Sequence, residues 1–376
     1  MRNMYVALLL VGGMVSAAYG APFTQGNLVI YRVGDGTAAL SSAGTAVFVD
    51  EYTTGGTLVQ SIALPTAVVG SNRRLVSSGT ATSEGMLTRS SDGQYLVLTG
   101  YDADVGTASI ASTAAATTNR VVGRIDSSGT IDTTTALSAP FNADNIRGAA
   151  STNGTDIWVT GVGSSGTGGV WYTTFGSTTA TQISTTVTNL RGVNLADGQL
   201  YVSSASGSTR IATVGSGAPT TSGQTIVNLP GTPTTGSPYG FAFADLSAGV
   251  AGVDTLYVVD DGTDLIQKFS FDGSTWSATG SVGALNVRGL TLAESGGVVT
   301  LFATSNTTLF SFVDNTGYNG LLSGSVTTLA TAAANTGFRG VAFAPFSATP
   351  IPEPATVALL GLAVIGGLML RRRVAA

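Results

Sequence analysis

Cysteine and histidine are both missing from this 376-residue chain. Their absence excludes disulfides, thiolate nucleophiles, catalytic triads built on histidine and zinc sites that use either residue. Charge is sparse as well: charged residues make up 10% of the sequence, and lysine occurs once, at Lys268. Helix-rich soluble domains carry more Glu, Lys and Arg than this. What is abundant is glycine, at 51 residues, and Ser plus Thr, at 93. With 43% apolar residues the chain can form a core, which argues against disorder, and the Gly/Thr/Ser/Val bias favours one large all-β unit.

Both ends read as addresses. Met1-Arg2-Asn3 leads into an apolar run from Met4 to Val15, then Ser16-Ala17-Ala18-Tyr19-Gly20. That order predicts a secretory signal over residues 1–20, cleaved after Gly20; a run of about 12 residues is too short to span ~30 Å of hydrocarbon. At the other end Pro352-Glu353-Pro354 precedes an uncharged stretch from Ala355 to Leu370 and then Arg371-Arg372-Arg373. Such a stretch makes a helix of roughly 24 Å, which predicts a transmembrane helix over 355–370 with snorkelling arginines. The basic tail at 371–373 stays cytoplasmic and everything upstream lies outside. Taken alone these parts describe a plain tail anchor. Their arrangement over 350–376 resembles the PEP-CTERM sorting signal of Gram-negative bacteria. The resemblance implies recognition by an exosortase in the inner membrane, a membrane-anchored intermediate, and delivery to the cell surface or extracellular matrix in company with exopolysaccharide.

Over residues 21–354, 12 basic residues face 21 acidic ones. An acidic body with a single lysine is a poor match for a phosphate backbone, so nucleic acid is not an expected partner.

A repeat fills residues 21–349. Asn-apolar-Arg-Gly occurs at Asn145-Ile146-Arg147-Gly148, Asn189-Leu190-Arg191-Gly192 and Asn286-Val287-Arg288-Gly289, with Gly337-Phe338-Arg339-Gly340 as a near copy. Ser83-Glu84-Gly85 and Pro238-Tyr239-Gly240 are weaker copies. The glycines at 85, 148, 192, 240, 289 and 340 are 63, 44, 48, 49 and 51 residues apart. A period of about 40 to 50 residues predicts propeller blades, whereas a β-solenoid or stacked sandwiches would show a shorter or irregular one. Within the copy at Gly240 the strands read Gly240 to Phe243, Thr255 to Val259, Leu265 to Phe271 and Trp276 to Thr279. The last signature supplies only a first strand, while Asn27 to Tyr31, Ala46 to Val49 and Thr57 to Ile62 supply a second, third and fourth. One blade is therefore shared between the chain ends. The predicted fold is an all-β, six-bladed β-propeller of four-stranded antiparallel blades with N/C-terminal closure. The blade at Gly240, with Leu256-Tyr257-Val258-Val259-Asp260 and Leu265-Ile266-Gln267-Lys268-Phe269, resembles NHL-type blades.

In such a ring the residue before each glycine sits at one mouth of the axis. This geometry gathers Arg147, Arg191, Arg288 and Arg339 with Glu84 and Tyr239. Two readings follow: an anion site for a carboxylate, sulfate or acidic sugar, or arginines that reach sideways to tie neighbouring blades together. The acids of Asp260-Asp261-Gly262-Thr263-Asp264 offer oxygen ligands but lack the spacing of an EF-hand loop, and they read as turn residues. Asp102 to Asn119, rich in Ala, Ser and Thr, reads as a mobile flap more than a site. Ser270-Phe271-Asp272-Gly273-Ser274-Thr275-Trp276 resembles the sialidase Asp-box, one residue short, and reads as turn and core. A glycosidase needs a nucleophile and an acid on opposite sides of the scissile bond; Glu84 and Tyr239 are the axial candidates, with no second axial carboxylate beside them. The sequence therefore predicts no catalytic residue, cofactor or metal. It predicts an exported protein that binds exopolysaccharide or a surface protein, the alternative being a glycan-active hydrolase that uses the axial residues.

Overall fold

A computed structural model describes residues 20–347. The signal over residues 1–20, apart from Gly20, and the sorting segment over 350–376 with its transmembrane helix lie outside the described residues. Among the described residues no helix is long and apolar enough to cross a membrane. The chain divides into two compact units, residues 1–346 and 347–376, and every strand belongs to the first.

Three strands open it, β1 (Leu28–Val33), β2 (Gly44–Tyr52) and β3 (Leu58–Ala63), followed by the short β4 (Val76–Ser78). Next come β5 (Thr88–Arg89), β6 (Tyr95–Tyr101), β7 (Arg120–Asp126) and β8 (Ile131–Leu137). A second group is β9 (Ile146–Ser151), β10 (Asp156–Gly161), β11 (Gly169–Thr174) and β12 (Thr181–Ser184). A third is β13 (Leu190–Ala196), β14 (Gln199–Ser204), β15 (Ile211–Val214) and β16 (Ile226–Asn228). β17 (Pro238–Ala244), β18 (Thr255–Asp260), β19 (Leu265–Phe271) and β20 (Trp276–Gly283) follow. The last are β21 (Gly289–Ser295), β22 (Val298–Thr304), β23 (Thr308–Asp314), β24 (Thr327–Thr331) and β25 (Gly337–Phe343).

The architecture is all-β. The four groups from β9 to β24 each form a four-stranded antiparallel sheet, and a nine-stranded sheet runs β25-β1-β2-β4-β6-β7-β8, with β3 on β2 and β5 on β6. The chain ends share a sheet as the repeat predicted: Leu28 pairs with Phe343, Val29 with Ala342 and Ile30 with Val341. The innermost strands touch in order, β5 to β9, β13, β17, β21 and β25, and β25 touches β5.

Burial follows position in the sheet. All six residues of β18 are buried, as expected of a strand covered on both faces, and it reads as a continuous Leu-Tyr-Val-Val run. Outermost strands such as β3 and β24 are largely exposed. Between sheets the core interdigitates: Tyr257, Ile266 and Val282 of one pack with Leu290, Leu301 and Phe312 of the next. One aromatic position recurs on the second strands: it is filled by buried Tyr31, Trp158, Tyr201 and Tyr257 and by half-buried Tyr95.

The repeated glycines sit where one inner strand meets the backbone of the next. A Cβ on Gly240 would lie 2.6 Å from the Arg288 carbonyl oxygen and 2.9 Å from the Leu290 nitrogen. The Gly240 amide donates to that carbonyl at 2.8 Å. Gly240→Ala is therefore expected to lower stability by about 1 to 3 kcal/mol through overpacking, measured by urea unfolding. A loss below about 0.5 kcal/mol would mean the sheets can separate freely at this point.

Two sequence expectations are corrected. β20 runs on to Gly283 instead of ending at Thr279, because a register shift between Gln267 and Phe269 lets Leu265 pair with Gly283. The segment from Asp102 to Asn119 is packed and does not form a loose flap. It holds a 3₁₀ turn at Ile110–Ser112, and Ile110 and Ala115 are fully buried. The fully buried Arg120 binds it from beneath, donating to the carbonyls of Thr113 and Thr118 at 2.8 and 2.7 Å.

Candidate functional site

The residues before the six glycines come from the starts of the inner strands, and their side chains bond mostly sideways. Arg147 donates to Asn189 Oδ1 at 2.6 Å and to the Leu190 carbonyl at 3.1 Å. Arg191 donates to Ser237 Oγ at 2.5 Å and to the Pro238 carbonyl at 3.3 Å. Asn145 donates to Glu84. In these three junctions the residue preceding one repeat's glycine bonds the residue three before the next repeat's glycine. The asparagine that opens the motif is thus a partner for the preceding repeat, a role that sequence reading missed although its spacing from Arg-Gly was visible.

Main-chain carbonyls of the same positions are tied by hydroxyls from second strands. Thr160 Oγ1 donates to the Arg191 carbonyl at 3.1 Å, Ser203 Oγ to the Tyr239 carbonyl at 2.6 Å, and Thr304 Oγ1 to the Arg339 carbonyl. Their signal was the Ser or Thr near the end of the second strands β10, β14 and β22.

Tyr239, Arg191, Arg288 and Asp261 form one cluster. The guanidinium carbons of Arg191 and Arg288 lie 4.1 and 4.6 Å from the Tyr239 ring centre, within cation–π range. Asp261 receives Arg288 Nε and Nη2 at 3.0 and 2.6 Å and lies 3.7 Å from Arg191. Arg288 also donates to Thr82. The neighbouring acids are engaged too: Asp260 accepts from the backbone amides of Ser237, Gly262 and Thr263, and Asp264 from that of Asn286. Among the described residues no group of three His, Cys, Asp or Glu side chains is placed to hold a metal ion.

Glu84 is buried and saturated. Its Oε2 receives Ser77 Oγ and the Ser78 amide at 2.8 and 3.0 Å, and its Oε1 receives Tyr101 Oη at 2.6 Å as well as Asn145. Arg339 is 4% exposed and donates to Asn306 and to the Phe338 and Gly79 carbonyls, all neutral acceptors. Burial pulls its guanidinium down to about 10, against the opposing influence of Glu84. Burial likewise lowers Arg147, opposed by Tyr239 and reinforced by Arg191. Arg288, Arg339 and Glu84 line one cavity of about 280 Å³, together with Thr82, Ser305 and Phe310. Arg147, Arg191 and Tyr239 are outside its lining. A second cavity, of about 230 Å³, is bordered by the inner strands at Arg89, Gly192, Gly240 and Val341.

Asp272 in the Asp-box-like segment closes a turn. It accepts from the amides of Ser274 and Thr275 at 2.8 Å each, and these bonds hold its carboxyl down to about 2; Trp276 is buried.

No curated protein matches the chain. Similar solved structures include a chain of a nidogen/laminin complex, 13% identical, covering 85% of this chain and 98% of that chain, with a TM-score of 0.49. A candidate 6-phosphogluconolactonase from Bacteroides uniformis is 13% identical, covering 82% of this chain and 83% of that one, at a TM-score of 0.46. A functionally unknown protein from Desulfotomaculum acetoxidans is 10% identical over 80% of this chain and 79% of that one, at 0.44. Residues 350–373 match the PEP-CTERM protein-sorting motif, the segment with Pro352, Glu353, Pro354 and Arg371 to Arg373. The chain carries a PEP-CTERM sorting signal, which implies exosortase handling at the membrane and export.

Proposed function

We propose that this is a non-catalytic propeller of the cell surface or extracellular matrix that binds exopolysaccharide or another surface protein through the arginine-bearing mouth. The observation that carries the reading is the sorting motif at residues 350–373 on an all-β body. We read the nine-stranded sheet as two blades, β25-β1-β2-β3 and β5-β6-β7-β8, joined by β4. With the four separate sheets this makes six. A transmembrane helix over 355–370 then holds the intermediate until the exosortase acts. A binding role is supported over hydrolysis by the state of Glu84: both of its oxygens already accept hydrogen bonds from the protein, which ties up the one axial carboxyl that could serve as the acid of glycoside hydrolysis.

Incubating the purified full chain with exopolysaccharide from its host is expected to give co-sedimentation without new reducing ends. New reducing ends would establish the hydrolase instead, and neither sedimentation nor product would remove the glycan-binding reading. An Arg191→Ala, Arg288→Ala double variant is expected to bind at least about tenfold more weakly, a loss of about 1.4 kcal/mol. Unchanged affinity in a folded double variant would reduce these arginines to ties between sheets.

A further inference from the structure

Three arginine nitrogens, the Nε atoms of Arg147, Arg210 and Arg339, are buried and donate to nothing in the protein. Of these three residues only Arg339 lines the 280 Å³ cavity. An unpaired N–H on a side chain exposed by only 4% costs stability unless something accepts from it. None of the protein acceptors bonded to Arg339 is a carboxylate. Of the charged groups lining the cavity, Arg288 is already paired with Asp261 and the Glu84 oxygens are occupied by neutral donors, so Arg339 is the lining cation without a carboxylate bonded to it. The remaining wall combines hydroxyl and amide groups at Thr82, Ser305 and Asn306 with the rings of Phe310 and Phe338.

We infer that this cavity binds a single acidic sugar residue, with the carboxylate on the Arg339 and Arg288 guanidinium groups, the hydroxyls on Thr82, Ser305 and Asn306, and an apolar ring face on Phe310. A monoanion supplies the carboxylate partner that Arg339 lacks, and a planar carboxylate matches the donor fork of a guanidinium. The volume lies just below the usual lower end for small-molecule sites, roughly 300 Å³, which suits one sugar ring and not a longer oligomer enclosed whole. A polysaccharide would therefore be held by one residue at a time, with neighbouring residues outside. The inference rests on the surface-binding reading above and narrows it to one cavity and one ligand class.

Titration of the full chain by isothermal calorimetry with galacturonate, galactose and acetate separates the contributions. Galacturonate is expected to bind at least about tenfold more tightly than either galactose, which lacks the carboxylate, or acetate, which lacks the ring. Leu285 lies on the cavity lining and is 65% exposed, so Leu285→Glu places a negative charge at the rim without touching the core. It is expected to weaken galacturonate about tenfold and leave the melting temperature unchanged. Val313→Glu, at an exposed position outside the lining, is expected to leave binding unchanged. Galacturonate binding no tighter than galactose or acetate, or indifferent to Leu285→Glu, overturns the inference. If whole exopolysaccharide still co-sediments in that case, the surface-binding role survives and only this cavity is removed from it. If it does not, both fall.

Discussion

Lys268→Ala is expected to destabilise the protein by about 3 to 5 kcal/mol, because it leaves Asp314 as an uncompensated buried charge. Lys268 on β19 and Asp314 at the end of β23 have side chains exposed by 0% and 1%, and lie 2.8 Å apart. The ammonium also donates to Thr316 Oγ1 at 3.1 Å and to the Gly317 and Gly320 carbonyls, while Tyr257 Oη donates to Asp314 at 2.6 Å. Burial alone would raise the Asp314 carboxyl, but hydrogen bonds from Lys268, Thr316 and Tyr257 outweigh it and hold the group below its ordinary value of 3.8. A depressed folded value means that the stabilisation is fully present above the ordinary value and is lost as pH falls through the depressed one. In the alanine variant Asp314 takes up its proton at higher pH, so the deficit should be largest near neutrality and narrow below about pH 4. Urea unfolding of both proteins between pH 3 and 7 measures this. Replacing the pair together, Lys268→Met with Asp314→Leu, should recover much of the loss, since an apolar pair leaves no buried charge. A single-variant loss under about 1 kcal/mol would show the pair to be solvated in solution.

The second large effect is expected from joining the chain ends. Val29 and Ala342 are buried partners across β1 and β25. In a protein without cysteine, Val29→Cys with Ala342→Cys offers one possible disulfide, closing a loop of roughly 300 residues. Loop entropy puts the gain above the usual range, at about 5 kcal/mol. The rise should appear under oxidising conditions, disappear with reductant, and be absent from either single variant. Failure of the two thiols to oxidise in the native state would place β25 away from β1 and dissolve the shared sheet.

The ring was legible because its signals are local and recur. A glycine repeated every 44 to 51 residues from 148 onward, preceded by Arg in every copy but Tyr239-Gly240, marks the inner strands, and a missing first strand at one end with a surplus one at the other announces the shared sheet. The partners at the mouth were less legible. Arg147 was singled out, but Asn189, which accepts from it, was read only as part of a motif, because its function appears when successive repeats stand side by side. Lys268 was noted for its rarity alone. Its partner lies 46 positions later in another sheet, so no short-range pattern joins them. The segment from Asp102 to Asn119 misled because small polar residues resemble a solvated loop, and the guanidinium of Arg120 that organises it follows the segment.

The pairing of β25 with β1 has a consequence for delivery. On the proposed export route, led by the signal over residues 1–20, Leu28 to Val33 leaves the cytoplasm almost at once, yet the strand that covers this apolar edge is among the last parts of the body to emerge. Until then the protein travels with an open, adhesive flank of the kind that recruits stray strands and nucleates aggregates. Escorts that shield unfinished chains outside the cytoplasm should matter more for this molecule than for one whose first strand finds a neighbour nearby, and a transit stalled short of residue 337 would release a sticky fragment.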